Sequence, residues 1–365
     1  MKLGEIIKHV QPVGKEWIER AREHTARLCI PPRALGRLHD ISERICSILE
    51  TLEPDVGSKA FLVMAGDHGV VSDGVSPFPQ AVTGEMVKNF LRGGAGINVL
   101  ARHVGAEVLV VDMGIIPDVD PGACECRNRF HICKVDRGTG NIAHGPAMSR
   151  LQAEQSVMHG FRVASELFST GTLLLGTGDM GIGNTTPSAA LGAALTGAPV
   201  DRMVGRGTGI DDDGLKKKRE IVQQAIEVNH PNPGDGLDAL AKVGGFEIGG
   251  IAGCILAGAY HRRPVVIDGF ISTAGALVAH SLCPATVDYL FAGHCSEEAG
   301  HRRMLEHLGL EPILDLRMRL GEGTGAALAM SVIEGAVRVF NEVLTFEDAG
   351  VSRGCGANSA SLSHF

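Results

Sequence analysis

The sequence predicts an α/β fold, in which helices flank a parallel sheet and a smaller helical domain accompanies it. From about residue 59 onward, short apolar runs alternate with helical stretches of ten or more residues, which is typical of parallel strands joined by crossover helices. Residues 1–56 contain no strand-like run. Glycine supplies 49 of the 365 residues, about twice its usual share. The glycines lie mainly at the ends of apolar runs, which predicts many tight turns there.

The N-terminal block has the pattern of two amphipathic helices separated by two prolines at 31–32. The residues that share a face recur at helical spacing: Trp17, Ala21, Thr25 and Leu28 in the first helix, and Leu38, Ile41, Ile45 and Leu49 in the second. We therefore expect residues 1–58 to form the small helical domain and residues 59–343 the large parallel α/β catalytic domain. A C-terminal helix over 344–365 is a candidate to complete the small domain.

The remaining elements follow from residue type and run length. Short apolar or β-branched runs predict strands over 60–65, 107–113, 172–175, 264–267, 288–291 and 312–314. Longer periodic stretches predict helices over 83–103, 147–168, 215–228, 271–281, 297–308 and 325–343. The stretch 117–135 has no strong period, and a hairpin is one interpretation of it.

Polar residues framed by glycine recur where the predicted strands end. They occupy residues 66–69 (GDHG), 176–183 (GTGDMGIG), 268–270 (DGF), 293–296 (GHCS) and 321–325 (GEGTG). Ligands of open α/β sheets bind outside the carboxyl ends of the strands. Five such turns therefore predict one shared cleft.

Charge and composition exclude several classes of function. The 34 basic and 42 acidic residues give a net charge of −8, which argues against a nucleic-acid-binding or anionic-membrane surface. The longest apolar stretch, 248–260, has thirteen residues, whereas a membrane span needs roughly twenty. The nine cysteines are scattered and the N-terminus lacks the apolar core of a secretory signal. These features predict a cytoplasmic protein.

The segment 173–187 carries the strongest local signal. An apolar run leads into four glycines within eight residues, and Pro187 then opens an Ala-rich helical stretch. Such a junction favours an anion, because backbone N–H groups and the positive end of the helix dipole meet there. The segment is neither a P-loop nor a clean dinucleotide fingerprint. A phosphate site and a simple tight turn both remain open.

Two carboxylates have both a functional and a structural interpretation. Glu322 lies between two glycines before an Ala-rich helix, where it could act as a general base or interact favourably with the helix dipole. Asp179 could bind a ring nitrogen or a ribose hydroxyl, or cap the helix that follows.

The other polar clusters favour structural roles. Three aspartates at 211–213 precede a basic run at 215–219, and we expect them to cap a solvated helix with one lysine available to a phosphate. The three cysteines of Cys124–Cys133 lack the paired spacing of a zinc site. The Asp67-His68 pair could be metal ligands or an acid–base pair, but a turn with local hydrogen bonds is the favoured interpretation. The sequence thus predicts no metal and no cofactor.

Seven segments occur in a specific order: 65–69 (AGDHG), 74–80 (GVSPFPQ), 93–100 (GGAGINVL), 180–186 (MGIGNTT), 204–209 (VGRGTG), 268–272 (DGFIS) and 320–325 (LGEGTG). Taken together they resemble the nicotinate-nucleotide–dimethylbenzimidazole phosphoribosyltransferase family of cobalamin lower-ligand synthesis. The resemblance runs from about residue 31 to about residue 345. The ordered set is specific, although no single segment is.

The resemblance implies that the chain transfers the 5-phosphoribosyl group of nicotinate mononucleotide to 5,6-dimethylbenzimidazole. The products are α-ribazole 5′-phosphate and nicotinate. It also implies a Rossmann-like parallel sheet with a small helical domain, and a homodimer with active sites near the subunit interface. The implied partners are these small-molecule substrates, without a cofactor.

Carried over position by position, the resemblance also implies site residues. Glu322 falls on the catalytic base. The implied substrate-binding residues are Asp179, Gly181, Gly183, Asn184 and Thr185 around the nucleotide loop, Lys218 and Ser296 on the phosphate side, and Ser76 and Gln80 beside the base pocket. Two departures stand out: Asp179 occupies a position where the family often has Glu, and residues 31–38 read PPRALGRL where the family has PPGSLGRL.

Three alternatives stay open. The acceptor could be another lower-ligand base, such as adenine or a phenol, selected by residues near Ser76, Phe78 and Gln80. A non-catalytic nucleotide-binding module would use the same loop without needing a carboxylate at Glu322. A hydrolase would share the site and release nicotinate to water.

Overall fold

A computed structural model describes residues 1–120 and 129–352 of the chain. Its contacts divide it into two compact units. The larger unit combines Met1–Val13 with Val56–Ser331, and the smaller unit combines Gly14–Asp55 with the residues from Val332 onward.

This division differs from the predicted domain boundaries in two places. The first thirteen residues join the larger unit rather than the smaller one, and the boundary near the C-terminus falls inside the last helix. Residues 344–352 form a bridge and turns instead of the helix considered for 344–365. The rest of that stretch lies outside the described residues.

Within the described residues, the larger unit contains one six-stranded sheet. Its strands are β1 (Lys59–Gly66), β2 (Ala106–Gly114), β3 (Phe130–Ile132), β4 (Leu174–Met180), β5 (Val265–Ile267) and β6 (Leu290–Ala292). They lie in the order β3-β2-β1-β4-β5-β6, and every neighbouring pair is parallel. This is the Rossmann order, which reverses direction between β1 and β4. The predicted Rossmann-like α/β fold is therefore confirmed.

The helices account for most of the remaining chain. Those of the larger unit are α1 (Leu3–His9), α4 (Ala81–Leu91), α5 (Gly96–His103), α6 (Arg150–Ser169), α7 (Thr185–Thr196), α8 (Val200–Met203), α9 (Asp212–Asn229), α10 (Gly236–Val243), α11 (Phe246–Tyr260), α12 (Phe270–Leu282) and α13 (His301–Leu308). The smaller unit contains α2 (Lys15–Thr25) and α3 (Arg37–Leu49), and α14 (Thr324–Glu342) crosses the division.

Burial on both faces explains the apolar runs of the larger unit. All eight residues of β1 are buried, as expected for a parallel strand covered by helices on both sides. The apolar run at 248–260 lies in α11, which is buried along nearly its whole length and packs against α6. No helix of the described ranges is long and apolar enough to cross a membrane.

The smaller unit has its own apolar cluster. Ala21, Cys46 and Phe340 are fully buried there, with Leu52 packed against them. The two predicted amphipathic helices, α2 and α3, therefore share one core. Arg33 stands where the family's pattern has glycine, and its φ of +55° lies in the left-handed region. Its guanidinium pairs with Asp40 and with the buried Glu43, which compensates part of that backbone strain.

Several predicted elements were wrong in detail. The predicted helix 83–103 is two helices, because the chain turns at Gly93 with φ +77°. The predicted strand 312–314 is reduced to a single bridge between Leu314 and His294. Within 117–135, for which a hairpin was one interpretation, residues 130–132 form β3 and pair with β2 in parallel, and residues 121–128 lie outside the described residues.

The segment that begins at residue 172 also differs from its prediction. We expected the strand to end at Leu175 and a glycine loop to follow, but β4 continues to Met180. Gly176 and Gly178 are therefore strand residues. A side chain at Gly176 would overlap the Phe61 ring, and one at Gly178 would overlap the carbonyl oxygen of Glu322. These two glycines permit close packing, rather than binding an anion.

Candidate active site

The candidate site lies at the carboxyl ends of the strands, where the strand order reverses between β1 and β4. Ligands of doubly wound sheets bind at this switch point. The end of β4 and the glycine-framed turns that follow β1, β4, β5 and β6 contribute buried polar side chains here: Asp67 and His68, Asp179 and Asn184, Asp268, and His294 and Ser296. Glu322 approaches from the turn that precedes α14.

Glu322 is held in an unusual backbone conformation. It is 5% exposed and has a φ of +65°, between Gly321 at +82° and Gly323 at +103°. Its Oε2 accepts a hydrogen bond of 3.0 Å from the Ile97 N–H at the start of α5. Three consecutive residues in the left-handed region direct this carboxyl inward, and a non-glycine residue keeps that conformation only when its surroundings hold it.

The electrostatic surroundings of Glu322 act in opposite directions. Burial raises the pKa of its carboxyl most strongly, and the negative charge of Asp268 adds to the increase. The backbone N–H groups of Ile97 and Gly96 lower the pKa by donating to the carboxylate. The net effect is a raised pKa of the Glu322 carboxyl. Its ionised form can still accept hydrogen bonds from these two backbone N–H groups.

Asp179 lies at the end of β4, next to the turn that carries Glu322. Its Oδ2 accepts a hydrogen bond of 2.9 Å from Asn184 Nδ2, and its carboxyl lies against Gly321, where a side chain would come within 3.3 Å of both oxygens. Burial and then the charge of Asp268 raise the pKa of Asp179 to about 8, while Asn184 opposes the increase. The Asp179 side chain therefore favours its protonated form around neutral pH.

Lys218 is the lysine of the basic run that turns inward. Its side chain is 1% exposed, whereas Lys216 and Lys217 are exposed on the same helix, α9. Lys218 Nζ donates a hydrogen bond of 2.6 Å to Thr185 Oγ1 at the first residue of α7. Burial lowers the pKa of Lys218 to about 8, and Glu298 partly opposes the decrease. A desolvated cation beside a helix N-terminus is suited to an anionic group.

The glycine-rich turn at 205–209 packs beside Lys218. A side chain at Gly207 would come within 3.2 Å of Lys218 Nζ. The Gly207 N–H donates to Glu298 Oε1 at 2.8 Å, and Arg319 Nη1 donates to the Gly207 carbonyl at 2.9 Å. Glu298 and Arg319, which are distant in the sequence, thus fix this turn. The sequence did not predict these two contacts.

Ser296 connects this region to a buried histidine. Its Oγ accepts a hydrogen bond of 3.3 Å from the Glu298 N–H, and its own N–H donates to His301 Nδ1 at 2.8 Å. Burial lowers the pKa of His301 to about 3, so its ring is neutral. With Nδ1 accepting, the proton is on Nε2, which donates to Thr273 Oγ1 at 2.8 Å.

The nucleotide-loop glycines of the sequence prediction are sterically constrained. A side chain at Gly181 would overlap the Gly66 carbonyl oxygen, and one at Gly183 would come within 2.7 Å of Val71. Gly183 also has a φ of +86°. Both positions therefore require glycine, because the end of β4 passes directly over the turn after β1.

The two residues predicted beside the base pocket lie near the opening of the site. Gln80 Nε2 donates to the His68 carbonyl at 3.2 Å. Ser76 Oγ lies 3.5 Å from Thr208 Oγ1. The segment 74–80 therefore contacts both the turn after β1 and the glycine-rich turn at 205–209.

Long-range partners replace the local turn expected at residues 67–68. His68 Nε2 lies 2.8 Å from Glu247 Oε1, and both side chains are buried. Asp67 Oδ2 accepts a hydrogen bond of 2.8 Å from the Ile116 N–H. The local interpretation of these two residues was therefore wrong. A lone acid inside an apolar helical run, as Glu247 is in α11, is the sequence signal that could have indicated this buried pair.

Comparison with known proteins gives matches to one enzyme family over nearly the whole chain. The profile of the phosphoribosyltransferase family matches residues 10–351. The nicotinate-nucleotide–dimethylbenzimidazole phosphoribosyltransferase of Geotalea uraniireducens (strain Rf4) is 51% identical over 352 residues, which are 96% of this chain and 99% of that enzyme. The enzyme of the same name from Geobacter sulfurreducens is 51% identical over 354 residues, with the same coverage of both chains.

This chain belongs to the nicotinate-nucleotide–dimethylbenzimidazole phosphoribosyltransferase family. The family's fold is also present in a crystal structure of the Thermus thermophilus enzyme of that name, which has 45% sequence identity and a TM-score of 0.87. That comparison covers 93% of this chain and 99% of the Thermus chain. The resemblance derived from the seven ordered segments is confirmed.

The cysteine-bearing segment of residues 124–133 is only partly described. Across residues 1–120 and 129–352, no three His, Cys, Asp or Glu side chains gather as metal ligands. Cys133 is a free thiol. The segment of Cys124 and Cys126 lies outside the described residues.

Proposed function

We propose that this chain transfers the 5-phosphoribosyl group of nicotinate mononucleotide to 5,6-dimethylbenzimidazole, forming α-ribazole 5′-phosphate and nicotinate for cobalamin lower-ligand assembly. The observation that carries the proposal is Glu322, a buried carboxyl at the switch point of the sheet. It lies in a chain whose relatives bear this enzyme's name over nearly their full length.

The chemistry of the substrates defines what the site must do. The ring nitrogen of nicotinate mononucleotide is cationic, so the C1′–N bond breaks with its electron pair returning to that nitrogen. One benzimidazole nitrogen forms the new bond to C1′ from the opposite face, which converts the β to the α configuration. The other benzimidazole nitrogen loses its proton. The reaction therefore needs a proton acceptor on the side of the incoming base, and the leaving group needs no proton.

Glu322 is the proposed proton acceptor. Burial raises the pKa of its carboxyl, and a higher pKa makes a carboxylate a stronger general base. The Ile97 N–H, 3.0 Å from Oε2, orients the carboxylate and stabilises its charge before the acceptor arrives. Asp179, with its pKa raised to about 8, is better suited to donate a hydrogen bond to a substrate than to act as the initial base.

Lys218 and its neighbours are the proposed phosphate site. Nζ of Lys218, the Thr185 hydroxyl and the turn around Gly207 lie together, and the amides at the start of α7 add donors. We include Ser296, Gly181, Gly183 and Asn184 in the nucleotide-binding surface. Binding the phosphate away from C1′ would orient the ribose for displacement and lower the entropic part of the barrier.

Ser76 and Gln80 are proposed to line the acceptor pocket. Their contacts with Thr208 and the His68 carbonyl put them next to the proposed nucleotide site. Adenine or a phenol remains a second class of acceptor, because hydroxyl and amide groups can hydrogen-bond to several heterocycles.

A product assay tests the proposal directly. Purified protein is incubated with nicotinate mononucleotide and 5,6-dimethylbenzimidazole, adenine or phenol, and the products are resolved by mass. An α-ribazole 5′-phosphate peak is the expected result. Release of nicotinate without a conjugate would indicate a hydrolase, and bound nucleotide without any turnover would indicate a binding module. Either of these two results would overturn the transferase proposal.

We also propose a cytoplasmic homodimer. Family membership supports the assembly, and the free thiols among the described cysteines fit a reducing compartment. Light scattering coupled to size exclusion should give twice the chain mass of 38.4 kDa. A mass equal to that of one chain would contradict the dimer.

A further inference from the structure

Asp268 is a buried carboxylate that binds the backbone next to Glu322. It follows β5 directly and is 1% exposed. Its Oδ1 accepts hydrogen bonds from the N–H groups of Gly325 at 2.7 Å and Ala326 at 2.9 Å. Its Oδ2 accepts from the Gly323 N–H at 3.2 Å. One side chain thus satisfies three N–H groups at the start of α14.

The acceptor of these hydrogen bonds lies at the end of β5 and not in the turn that carries Glu322. Gly323 is the residue that directly follows Glu322, so Asp268 fixes the backbone on one side of the left-handed conformation. On the other face, the Glu322 carbonyl oxygen lies on Gly178 of β4. The 321–326 segment is therefore held between β4 and the end of β5, and the direction of the Glu322 side chain depends on both contacts.

We propose that Asp268 is a positioning residue for the transfer reaction, acting through Glu322. It fixes where the Glu322 carboxylate meets the incoming base, and it sets the charge around that carboxylate. The inference rests on the proposed function, because Glu322 must be the proton acceptor for its position and surroundings to influence turnover.

The charge effect follows from the groups that face Glu322. Asp268 from the end of β5 raises the pKa of Glu322, whereas the α5 amides of Gly96 and Ile97 lower it. The nearby Asp179 of β4 also has its pKa raised by Asp268.

Two further titratable groups border this set. His294, after β6, has its Nε2 3.8 Å from Asp268 Oδ1 and opposes the increase that burial causes in the pKa of Asp268. Glu247 of α11 adds to the raised pKa of Asp179. Removing the charge of Asp268 should therefore lower the pKa of Glu322, since the positive end of α14 would no longer be neutralised.

The test compares D268N with a matched helix-capping variant, D235N. Asp235 caps α10 by accepting from the N–H groups of Leu237 and Asp238, and it has no contact with the proposed site. For D268N we expect kcat to fall by about tenfold or more, because small displacements of a reacting group cost large factors in rate. The KM for nicotinate mononucleotide should stay within about threefold, and the acid limb of the kcat–pH profile should move to lower pH.

Two readouts separate positioning from simple capping. In D235N, kcat and the acid limb should match the wild type even if the melting temperature falls by as much as in D268N. If D268N also kept the wild-type kcat and acid limb, Asp268 would be a helix cap and the inference would be overturned. A second uncharged variant, D268S, is used if D268N does not fold. Failure of both to fold would assign Asp268 to folding and would also overturn the inference.

A measurement without turnover distinguishes failure of the inference from failure of the proposed function. Carboxyl ¹³C NMR of glutamate-labelled protein, with the Glu322 signal assigned by its absence in E322Q, reports the pKa of Glu322 directly. We expect this pKa to be lower in D268N and unchanged in D235N. Wild-type protein that forms no α-ribazole 5′-phosphate would defeat the proposed function. An unchanged Glu322 pKa in D268N would defeat the inference alone.

Discussion

The sequence alone identifies some site residues but does not reveal what holds them. Glu322 stands out in the sequence by its two flanking glycines, and the structure shows that the Glu322 backbone lies against Gly178. Asp268 has the sequence signature of an ordinary acid after a strand. Its partners lie 55 to 58 positions away, and no local pattern encodes such a distance. Residue types at strand ends were predictable, whereas their long-range hydrogen bonds were not.

Replacing Glu322 by Gln tests the role of the carboxylate with little change in shape. We expect kcat to fall by roughly 10²–10⁴, the usual range for loss of a general base, while the affinity for nicotinate mononucleotide stays nearly unchanged. Steady-state kinetics and calorimetric binding measure the two quantities. The matched control is Glu334→Gln, at a half-buried acid of α14 that pairs with Arg338. Near-full activity of E322Q would leave Glu322 as a helix-end acid.

Replacing Gly178 by Ala tests whether the backbone under Glu322 matters for rate. The added methyl group would overlap the Glu322 carbonyl oxygen and the start of Gly323, so the turn must shift. A displacement of this kind can cost about 10²-fold in kcat, with a smaller change in KM. Gly335→Ala on α14 is the control, because nothing lies within 4 Å of the added group. It should be neutral or stabilise the protein by about 0.5–1 kcal/mol. Unchanged kcat in G178A would mean that the turn tolerates displacement.

At the level of elements, the ends of β1, β2, β5 and β6 were predicted to within one residue, but the end of β4 was missed by five. The apolar start of β4 was recognised, but the glycines at 176 and 178 were taken for a loop, because glycine is usually depleted in strands. Both glycines are kept in β4 by pairing with β1, and Gly176 also pairs with β5, so their conformation depends on residues more than 80 positions away. Helices α9 and α14 were predicted within a few residues at each end, because their apolar periodicity is local.

We expect Lys218 on helix α9 to make nucleotide binding depend on pH. Burial lowers the pKa of Lys218 to about 8, so the ammonium loses its proton as pH rises through that value. Affinity for the phosphate of nicotinate mononucleotide should therefore weaken above about pH 8. In K218M, affinity at lower pH should fall by about tenfold or more, and this pH dependence should be lost. Titration calorimetry across pH measures both effects.

The control for this element is K216M, which removes an exposed lysine from the same helix. It should keep the wild-type affinity and its pH dependence. If K218M bound the nucleotide as tightly as K216M did, the phosphate would lie elsewhere.

At the scale of the whole molecule, several acids lie at one edge of a sheet built from apolar strands. Asp179, Asp268 and Glu322 are buried together, and burial raises the pKa of each. The fold was predictable, and so was the grouping of polar side chains at one edge of the sheet, because strand–glycine–helix junctions repeat along the chain. The division into units was not, because Met1–Val13 joins the larger unit through contacts with distant residues such as Asp288.

The buried acids should make the stability of the ligand-free protein depend on pH in a defined direction. The pKa of the Asp179 carboxyl is about 8 in the folded protein and about 4 in the unfolded chain. Between these two pH values the carboxyl is protonated in the folded state and ionised in the unfolded state. The unfolded state loses that proton as pH rises, so the free energy of unfolding should fall between about pH 4 and about pH 8 and then level off. One such group contributes up to about 1.4 kcal/mol per pH unit in this range.

Asp179→Asn should remove much of that slope, because the amide can still accept the hydrogen bond from Asn184 but does not titrate. Melting temperatures measured from about pH 5 to about pH 8 should fall by several degrees in the wild type and clearly less in D179N. Asp201→Asn, at an exposed acid that pairs loosely with Arg219, should follow the wild-type curve. Parallel curves for D179N and the wild type would mean that Asp179 is ionised in the folded protein. It would then be available as a second proton acceptor beside Glu322.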